Sequence, residues 1–343
     1  MEYTNNEPRH VLSIEPLNIE TKESIRQHFG IDVDSEFLSP LVDYIFKRIF
    51  TADEKRSKIA LIDFLNSVLE VEGAKKIVDL TVINPEIPVD IATSKKSIFD
   101  IRVMFNDGEQ AIFEMQTSPH RGFKKRAQYI AAKAYTSQSI EGQEYSDLQR
   151  CYVICITNFK LFAAKPKFID DYRFRDREGN DLTDDQTIVF IELPKIDRIL
   201  DKPVDEMTGI EAWSIFFRYV SDRSKRDIIN RILDRKEAIK MATGVLELIS
   251  KDEKERIRYE SELIFDLDQR SRFNDAWREG IAEGEARGEA RGEARGEARG
   301  KAEERAEIAI EMLLDNEPIE KIVRYTKMSS EAVKQLKREL GNG

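Results

Sequence analysis

An α/β fold followed by an all-α extension is predicted by three features of the chain. Between Ile98 and Gln116 two alternating, strand-like runs are broken by Asn106-Asp107-Gly108. Cys151-Tyr152-Val153-Ile154-Cys155-Ile156 is a continuous apolar run of the kind buried on both faces of a sheet. Helical spacing flanks both, and from Val204 onward it displaces every strand-like pattern.

Taken in order, Met1 to Glu36 is polar, with weak helical patterning from Ile19 to Phe29, and is expected to be an N-terminal arm. Asp53 to Glu70 places Leu61, Leu65 and Val68 on one helical face, with Ile62 and Leu69 alongside. Apolar runs between Ile77 and Val89 predict one or two strands. The hairpin follows, then a helix by composition from Phe123 to Ile140, the apolar strand over Tyr152 to Thr157, and a further strand over Thr187 to Leu193. Ile210, Trp213, Phe216, Phe217 and Val220 define an amphipathic helix, and Ile228 to Ile249 gives others that complete the core. Asp252 to Trp277 is strongly charged and reads as an exposed helix leading outward. The expected divisions are an arm (1–36), the main domain with its helical completion (37–275), a spacer (276–303) and a small helical tail (304–343).

The spacer holds the chain's internal repeat, Gly-Glu-Ala-Arg four times from Gly284 to Arg299. A period of four on a 3.6-residue helix winds each residue type into a stripe. Like charges then lie at i,i+4, and each glycine costs roughly 1 kcal/mol relative to alanine. A helical spacer is favoured over a helix rescued by packing against a partner. In the tail, Ser329 or Ser330 can cap a helix carrying Val333 and Leu336. This reads either as a helix-turn-helix whose second helix bears Lys334, Lys337 and Arg338, or as a helical cap or dimerisation hairpin without nucleic acid.

The hairpin register can be decided by burial. A two-residue Asp107-Gly108 turn would pair Ile101 with Glu114 and Asp100 with Met115, mixing charge and hydrocarbon on both faces. A three-residue loop with Gly108 in the left-handed region pairs Phe99 with Met115, Ile101 with Phe113, and Val103 with Ala111, leaving one face apolar. The other face sets Asp100 opposite Glu114, with Gln116 two residues along. Opposed like charges destabilise a sheet, so folding does not ask for them. A divalent cation would, because converging carboxylates are the hard oxygen ligands magnesium prefers.

The 343 residues are 41% hydrophobic and 35% charged, with a formal charge of −10. No run of 18 apolar residues suggests a membrane span. Met1 to His10 lacks the basic start and apolar stretch of a secretory signal, so a cytoplasmic location is expected. Cys151 and Cys155 sit four residues apart, roughly 13 Å along a strand, too far for a disulfide, which predicts buried thiols. His10, His28 and His120 form no zinc set. The acidic balance argues against indiscriminate polyanion binding, so contact with DNA requires a local patch. His120, Arg121, Lys124, Lys125 and Arg126 form one candidate, unless they are only the solvated face of a helix. Arg173, Arg175 and Arg177 are cancelled by neighbouring acids.

An Asp followed by Glu-x-Lys on neighbouring strands is the signature of PD-(D/E)XK nucleases. The stretch from about Phe37 to Phe162 resembles the transposase-like, recombination-promoting branch of that superfamily. The resemblance is carried by Asp43-Tyr44-Ile45-Phe46-Lys47, the helix ending Ile62 to Leu69, the hairpin, Phe123 to Tyr135 with Arg126 and Tyr129, and Glu141 to Leu148. It implies a restriction-endonuclease-like fold with a mixed central sheet flanked by helices, and a DNA endonuclease dependent on magnesium, or on manganese in its place. Asp100 and Glu114 would hold the metal, helped by the Met115 carbonyl, while Asp43, Lys47 and Gln128 support. This chain has Gln116 where the wider superfamily has lysine. Glutamine carries dipoles without charge, so Lys95 or Lys96 is the expected substitute source. Two readings from other classes stay open: a nuclease fold that binds DNA or protein without cutting, and a scaffold forming homo-oligomers through the C-terminal helices.

Overall fold

The computed structural model describes residues 17–84, 86–87, 97–98, 100–119, 122–138 and 144–341. Three helices come first: α1 (Ile19–Phe29), α2 (Asp43–Thr51) and α3 (Glu54–Leu69). Strand β1 (Leu80–Ile83) is followed by the short β2 (Glu86–Ile87) and β3 (Ser97–Ile98), then β4 (Ile101–Phe105) and β5 (Gln110–Gln116). Helix α4 (Phe123–Thr136) leads to β6 (Cys151–Thr157), β7 (Ile169–Tyr172) and β8 (Gln186–Glu192). Helices α5 (Gly209–Tyr219), α6 (Arg226–Arg235), α7 (Glu237–Lys251), α8 (Glu253–Leu314), α9 (Ile319–Thr326) and α10 (Ser330–Gly341) complete the chain.

Six strands form one mixed sheet in the order β1-β4-β5-β6-β8-β7. The β1, β4 and β5 pairings are antiparallel, β5, β6 and β8 run parallel, and β7 closes the edge antiparallel to β8. β2 and β3 pair separately, so the stretch before Asp100 does not extend the main hairpin as its alternation suggested. The hairpin register follows the burial argument: Ile101 faces Phe113 and Val103 faces Ala111. Gly108 adopts φ +88° in the loop, and its N–H donates to Phe105 O at 3.1 Å. The Phe99–Met115 pairing involves Phe99, which lies outside the described residues.

Alternation along the central strands divides two cores. Ala111, Phe113 and Met115, with Ile154, Ile156, Val189 and Ile191, face the larger one with α2, α3, α5 and α7. Its centre is aromatic: Phe64 stacks on Phe50 and Phe113, and packs against Trp213 and Phe217. Ile112, Val153, Cys151, Cys155 and Phe190 face the other way, against Phe123, Ala127, Ile130, Ala131 and Ala134 of α4. Both cysteines are buried free thiols.

Local signals account for the element ends. Asp53 accepts from the N–H groups of Lys55 and Arg56 to start α3, and Glu70 ends it in the left-handed region. Thr208 and Glu211 form a capping box at α5. Strand β7, Ile-Asp-Asp-Tyr, carries too little hydrocarbon to be read as a strand, which is tolerable at a sheet edge.

Two expectations are corrected. The N-terminal segment is not a detached arm from residue 17 onward, because Ile25, Phe29, Ile31 and Val33 are buried in the larger core. The charged helix after Asp252 does not lead directly outward either. Its first turns bury Tyr259 and Leu263 in that core, and Arg256 donates to the carbonyls of Ser250, Ser35 and Glu36.

The chain divides into two compact units, Met1–Asp268 and Gln269–Gly343. The second unit has its own small core of Ala309, Leu313, Ile322 and Val333. Here α9 and α10 are joined through Lys327 at φ +57°, and Ser329 Oγ accepts from Ala332 N. The Gly-Glu-Ala-Arg repeat is helical within α8, with open space around each of its glycines. The ion pairs seen there, Glu283–Arg287, Glu297–Lys301 and Glu303–Arg299, each draw one partner from outside the repeat. Within the repeat no opposite charges fall three or four residues apart. No described helix is long and apolar enough to cross a membrane.

One glycine carries a packing constraint. A Cβ on Gly209 would lie 2.2 Å from Ser67 Oγ and 2.9 Å from Ser67 Cβ. Gly209→Ala is therefore expected to lower unfolding stability in urea by about 1–3 kcal/mol. Adding Ser67→Gly should recover part of that loss beyond what the two single variants sum to, and strict additivity would refute the contact.

Candidate active site

The site is assembled on the α4 side of β5, where alternation places Glu114 beside Ile112 and Asp100 precedes β4. Continuing the observed register by one residue sets Asp100 opposite Glu114, in a narrow pair where antiparallel side chains come closest. Asp100 Oδ2 accepts from Met115 N at 2.5 Å, which ties the carboxylate to the partner strand. Glu114 Oε2 accepts from Arg126 Nη2 at 2.8 Å. The Glu114 side chain is 1% exposed, and its Oε1 has no hydrogen-bond partner.

Asp43, the first residue of α2, brings a third carboxyl group and hydrogen-bonds to that of Asp100. Asp43 is exposed as a residue, yet this bond turns its carboxyl into the cluster. Lys47, one turn along α2, and Arg126 both favour its ionised form. Two further acids come from α8. Glu262 accepts from the backbone N–H of Tyr44, one of the unpaired donors at the start of α2, and Asp266 lies one turn on; the negative charge of Asp43 bears on both.

Burial is the largest influence on every one of these carboxyls, and it disfavours their charged forms. Asp100 is held well above the usual carboxylate range by burial, reinforced by the charges of Asp43 and Glu114. Glu114 is pushed up to about 7 by burial, against the pull of Arg126. Crowded oxygens that resist ionisation in the absence of a counter-charge can do two things chemically: share protons, or bind a cation. Glu114 Oε1 is the carboxylate oxygen left without a partner; among the described residues, no three His, Cys, Asp or Glu side chains form a ready-made ligand group.

A second buried ion pair shows how the protein treats charge when only packing is at stake. Glu192 and Lys195 pair at the end of β8. Glu192 Oε2 also accepts from Leu161 N and Phe162 N, at 2.6 and 3.0 Å, while Lys195 Nζ donates to Phe162 O. There both charged groups are fully engaged. Among the described residues, Glu114 Oε1 and the neutral Ser214 Oγ are the buried side-chain atoms without a partner.

The other candidates scatter. Gln116 ends β5 half-buried, and its Nε2 donates to Met115 O at 3.1 Å. Gln128 is not with the acids: it is exposed on α4 and lines a shallow groove with Ala131, Tyr172, Phe174 and Ile188. Two residues on a helix are about 200° apart, so a helix that aims Arg126 at Glu114 must turn Gln128 away. Lys124 lies over the Phe162 ring at 4.1 Å, and Lys125 is exposed. Lys334 and Lys337 are exposed on α10, in the second unit. Lys95, Lys96, His120 and Arg121 fall outside the described residues. Arg126, one of the candidate DNA-contacting residues, pairs with Glu114 while its side chain stays half-exposed. Glu262 and Asp266 were not singled out by sequence; their one trace is two acids at i,i+4, an unfavourable pair on a helix.

An acid whose pKa is raised by folding binds its proton more tightly in the folded chain, so the stability it contributes is present at low pH and lost as pH rises through the folded value. For Glu114 that window ends at about 7, and the shifts at Asp43, Asp100, Glu262 and Asp266 have the same sign. The melting temperature in chelator should therefore fall from pH 5 to pH 8, less steeply in Glu114→Gln. A wild-type profile that is flat or rises over that range would contradict the raised values.

No curated protein and no solved structure matches this chain. A family model described as PD-(D/E)XK nuclease family transposase matches residues 40–276, more than two thirds of the sequence, and covers α2 through the early turns of α8 with every acid of the cluster. The chain belongs to the PD-(D/E)XK nuclease family transposases.

Proposed function

We propose that this protein is a magnesium-dependent DNA endonuclease of the recombination-promoting, transposase-like type, in which manganese can replace magnesium. The observation that carries the reading is Glu114 Oε1, buried without a partner next to the Asp100 carboxylate. An unpaired buried carboxylate oxygen is costly, and a hard divalent cation is a partner that would satisfy it. The donors fit: two carboxylates are the hard oxygen ligands such an ion takes, and the Met115 carbonyl belongs to the residue next to Glu114. When bound, such an ion supplies positive charge at the scissile phosphate and acidifies water.

The protein's own groups have separable tasks in this reading. Asp100 is oriented by Met115 N, and its protonated carboxyl donates to Asp43 until a counter-charge arrives. Gln116, at the end of β5, orients a water or a phosphate oxygen through its amide dipole. The water oxygen forms the new bond to phosphorus while the bridging P–O bond opposite breaks, and the departing oxygen leaves with a proton. Lys124 and Lys125, in the first turn of α4, offer contacts to the DNA backbone, and Lys334 and Lys337 on α10 offer a second set from the tail. Self-association through the C-terminal region belongs to the same proposal, supported by the exposed Phe273, Trp277 and Ile281 along one face of α8. A cytoplasmic location belongs to the same proposal.

A second reading, a nuclease fold that binds DNA or protein without cutting it, is favoured by the uncharged Gln116, whose amide is engaged with Met115 O. Supercoiled plasmid separates the two. With magnesium the wild type should nick it, chelator should abolish nicking, and Asp100→Ala or Glu114→Ala should lower the rate by on the order of 100-fold or more, about 2.7 kcal/mol. Nicking that survives both substitutions would reject the site. DNA binding by a wild type that never nicks would select the second reading.

A further inference from the structure

Gln116 leaves the strand end without the positive charge that phosphodiester hydrolysis uses against the developing negative charge, and among the described residues the guanidinium of Arg126 contacts Glu114. Arg126 lies on the α4 face that covers Glu114, with Nη2 at 2.8 Å from Glu114 Oε2. Its side chain is 46% exposed while that of Glu114 is 1% exposed, so the guanidinium reaches from solvent into the buried acid. Its base is fixed, because Phe123, Ala127 and Ile130 anchor α4 in the smaller core. Its charge also bears on Asp43, which hydrogen-bonds to Asp100, so one group acts on two of the acids.

We propose that Arg126 is a catalytic phosphate-binding residue that exchanges partners: it neutralises Glu114 in the cation-free protein and binds the scissile phosphate once a cation has taken over Glu114. This rests on the endonuclease reading above. Removing the partner of a buried charge is strongly unfavourable, so Arg126 is held on Glu114 while nothing else neutralises that acid. A divalent cation on Glu114 removes the reason for the pair. The half-exposed guanidinium is then free to bind phosphate through two parallel N–H groups, a geometry that suits arginine better than lysine. Arg126 gives up no proton and forms no bond to substrate; it contributes fixed positive charge.

The competing role is purely structural, with Arg126 acting only to keep Glu114 in place. Full-length wild type, Arg126→Ala and Arg126→Lys are compared at pH 8 in two measurements: manganese binding by calorimetry without DNA, and single-turnover nicking of plasmid. The proposal expects Arg126→Ala to bind manganese as tightly as wild type or several-fold more tightly, since a competing cation is gone. It also expects nicking at saturating DNA to fall roughly 10²–10³-fold, the usual cost of one lost charge-stabilising donor. Millimolar guanidinium, but not equal sodium chloride, should restore part of that loss, and Arg126→Lys should retain an intermediate rate. Manganese binding lost together with nicking would assign the structural role. Undiminished nicking by Arg126→Ala beside an active wild type would overturn this proposal alone. A wild type that binds manganese and never nicks would overturn the endonuclease reading and this proposal with it. If Arg126→Ala does not fold, the lysine variant decides: a wild-type rate there would exclude the requirement for paired N–H donors.

Discussion

The rest of the structure depends on one constraint: a glutamate carboxylate carried into the interior by strand alternation, with one oxygen paired to a guanidinium and the other to nothing. Sheet packing places Glu114 there. Phe113 and Met115, its neighbours on β5, belong to the large core, so Glu114 must point into the α4 layer. Everything nearby responds to that charge. The charges of Asp43 and Glu114 raise the reluctance of Asp100 to ionise, Asp43 shares a hydrogen bond with Asp100, and Arg126 crosses from solvent to pair with Glu114. A fold built only for stability would resolve such a cluster as it resolves Glu192 and Lys195, with every charged oxygen engaged.

The layers then look like a means of holding acids from separate elements at one point. The antiparallel hairpin brings Asp100 to Glu114, the N-terminus of α2 brings Asp43, and the first turns of α8 bring Glu262 and Asp266. α8 can do so because Tyr259 and Leu263 root it in the large core, and because Glu255 ties it to Arg48 and Tyr44 of α2. Glu262 in turn occupies the Tyr44 N–H at the head of α2, so the helix bearing Asp43 and the helix bearing Glu262 are fastened at the site itself.

How much of this could be read from sequence follows from the range of the interactions. The hairpin register was legible because it is local: one loop, one left-handed glycine, and a one-residue slip that would have buried charge on the wrong face. The buried strand β6 and helices α3 and α5 were legible from periodicity. What was missed is set by distant partners. By sequence Arg126 belongs to a candidate DNA-contacting patch, and nothing local says that its guanidinium pairs with Glu114; Gln128, two residues on, is turned away because about 200° of helix separates the two. Glu262 and Asp266 are lost among other charges on α8, and the burial of Tyr259 beneath them is visible only in three dimensions. The short polar β7 and the apolar residues of 17–33 escaped because each is stabilised by a surface supplied from elsewhere.

The most direct measurement is a crystal structure of the full chain soaked in manganese at pH 8, with the ion located by its anomalous scattering. The account predicts a peak in contact with carboxylate oxygens of both Asp100 and Glu114, with the Arg126 guanidinium withdrawn from Glu114. A structure that takes up no ion there, keeping the 2.8 Å Arg126–Glu114 pair intact at saturating manganese, would contradict it.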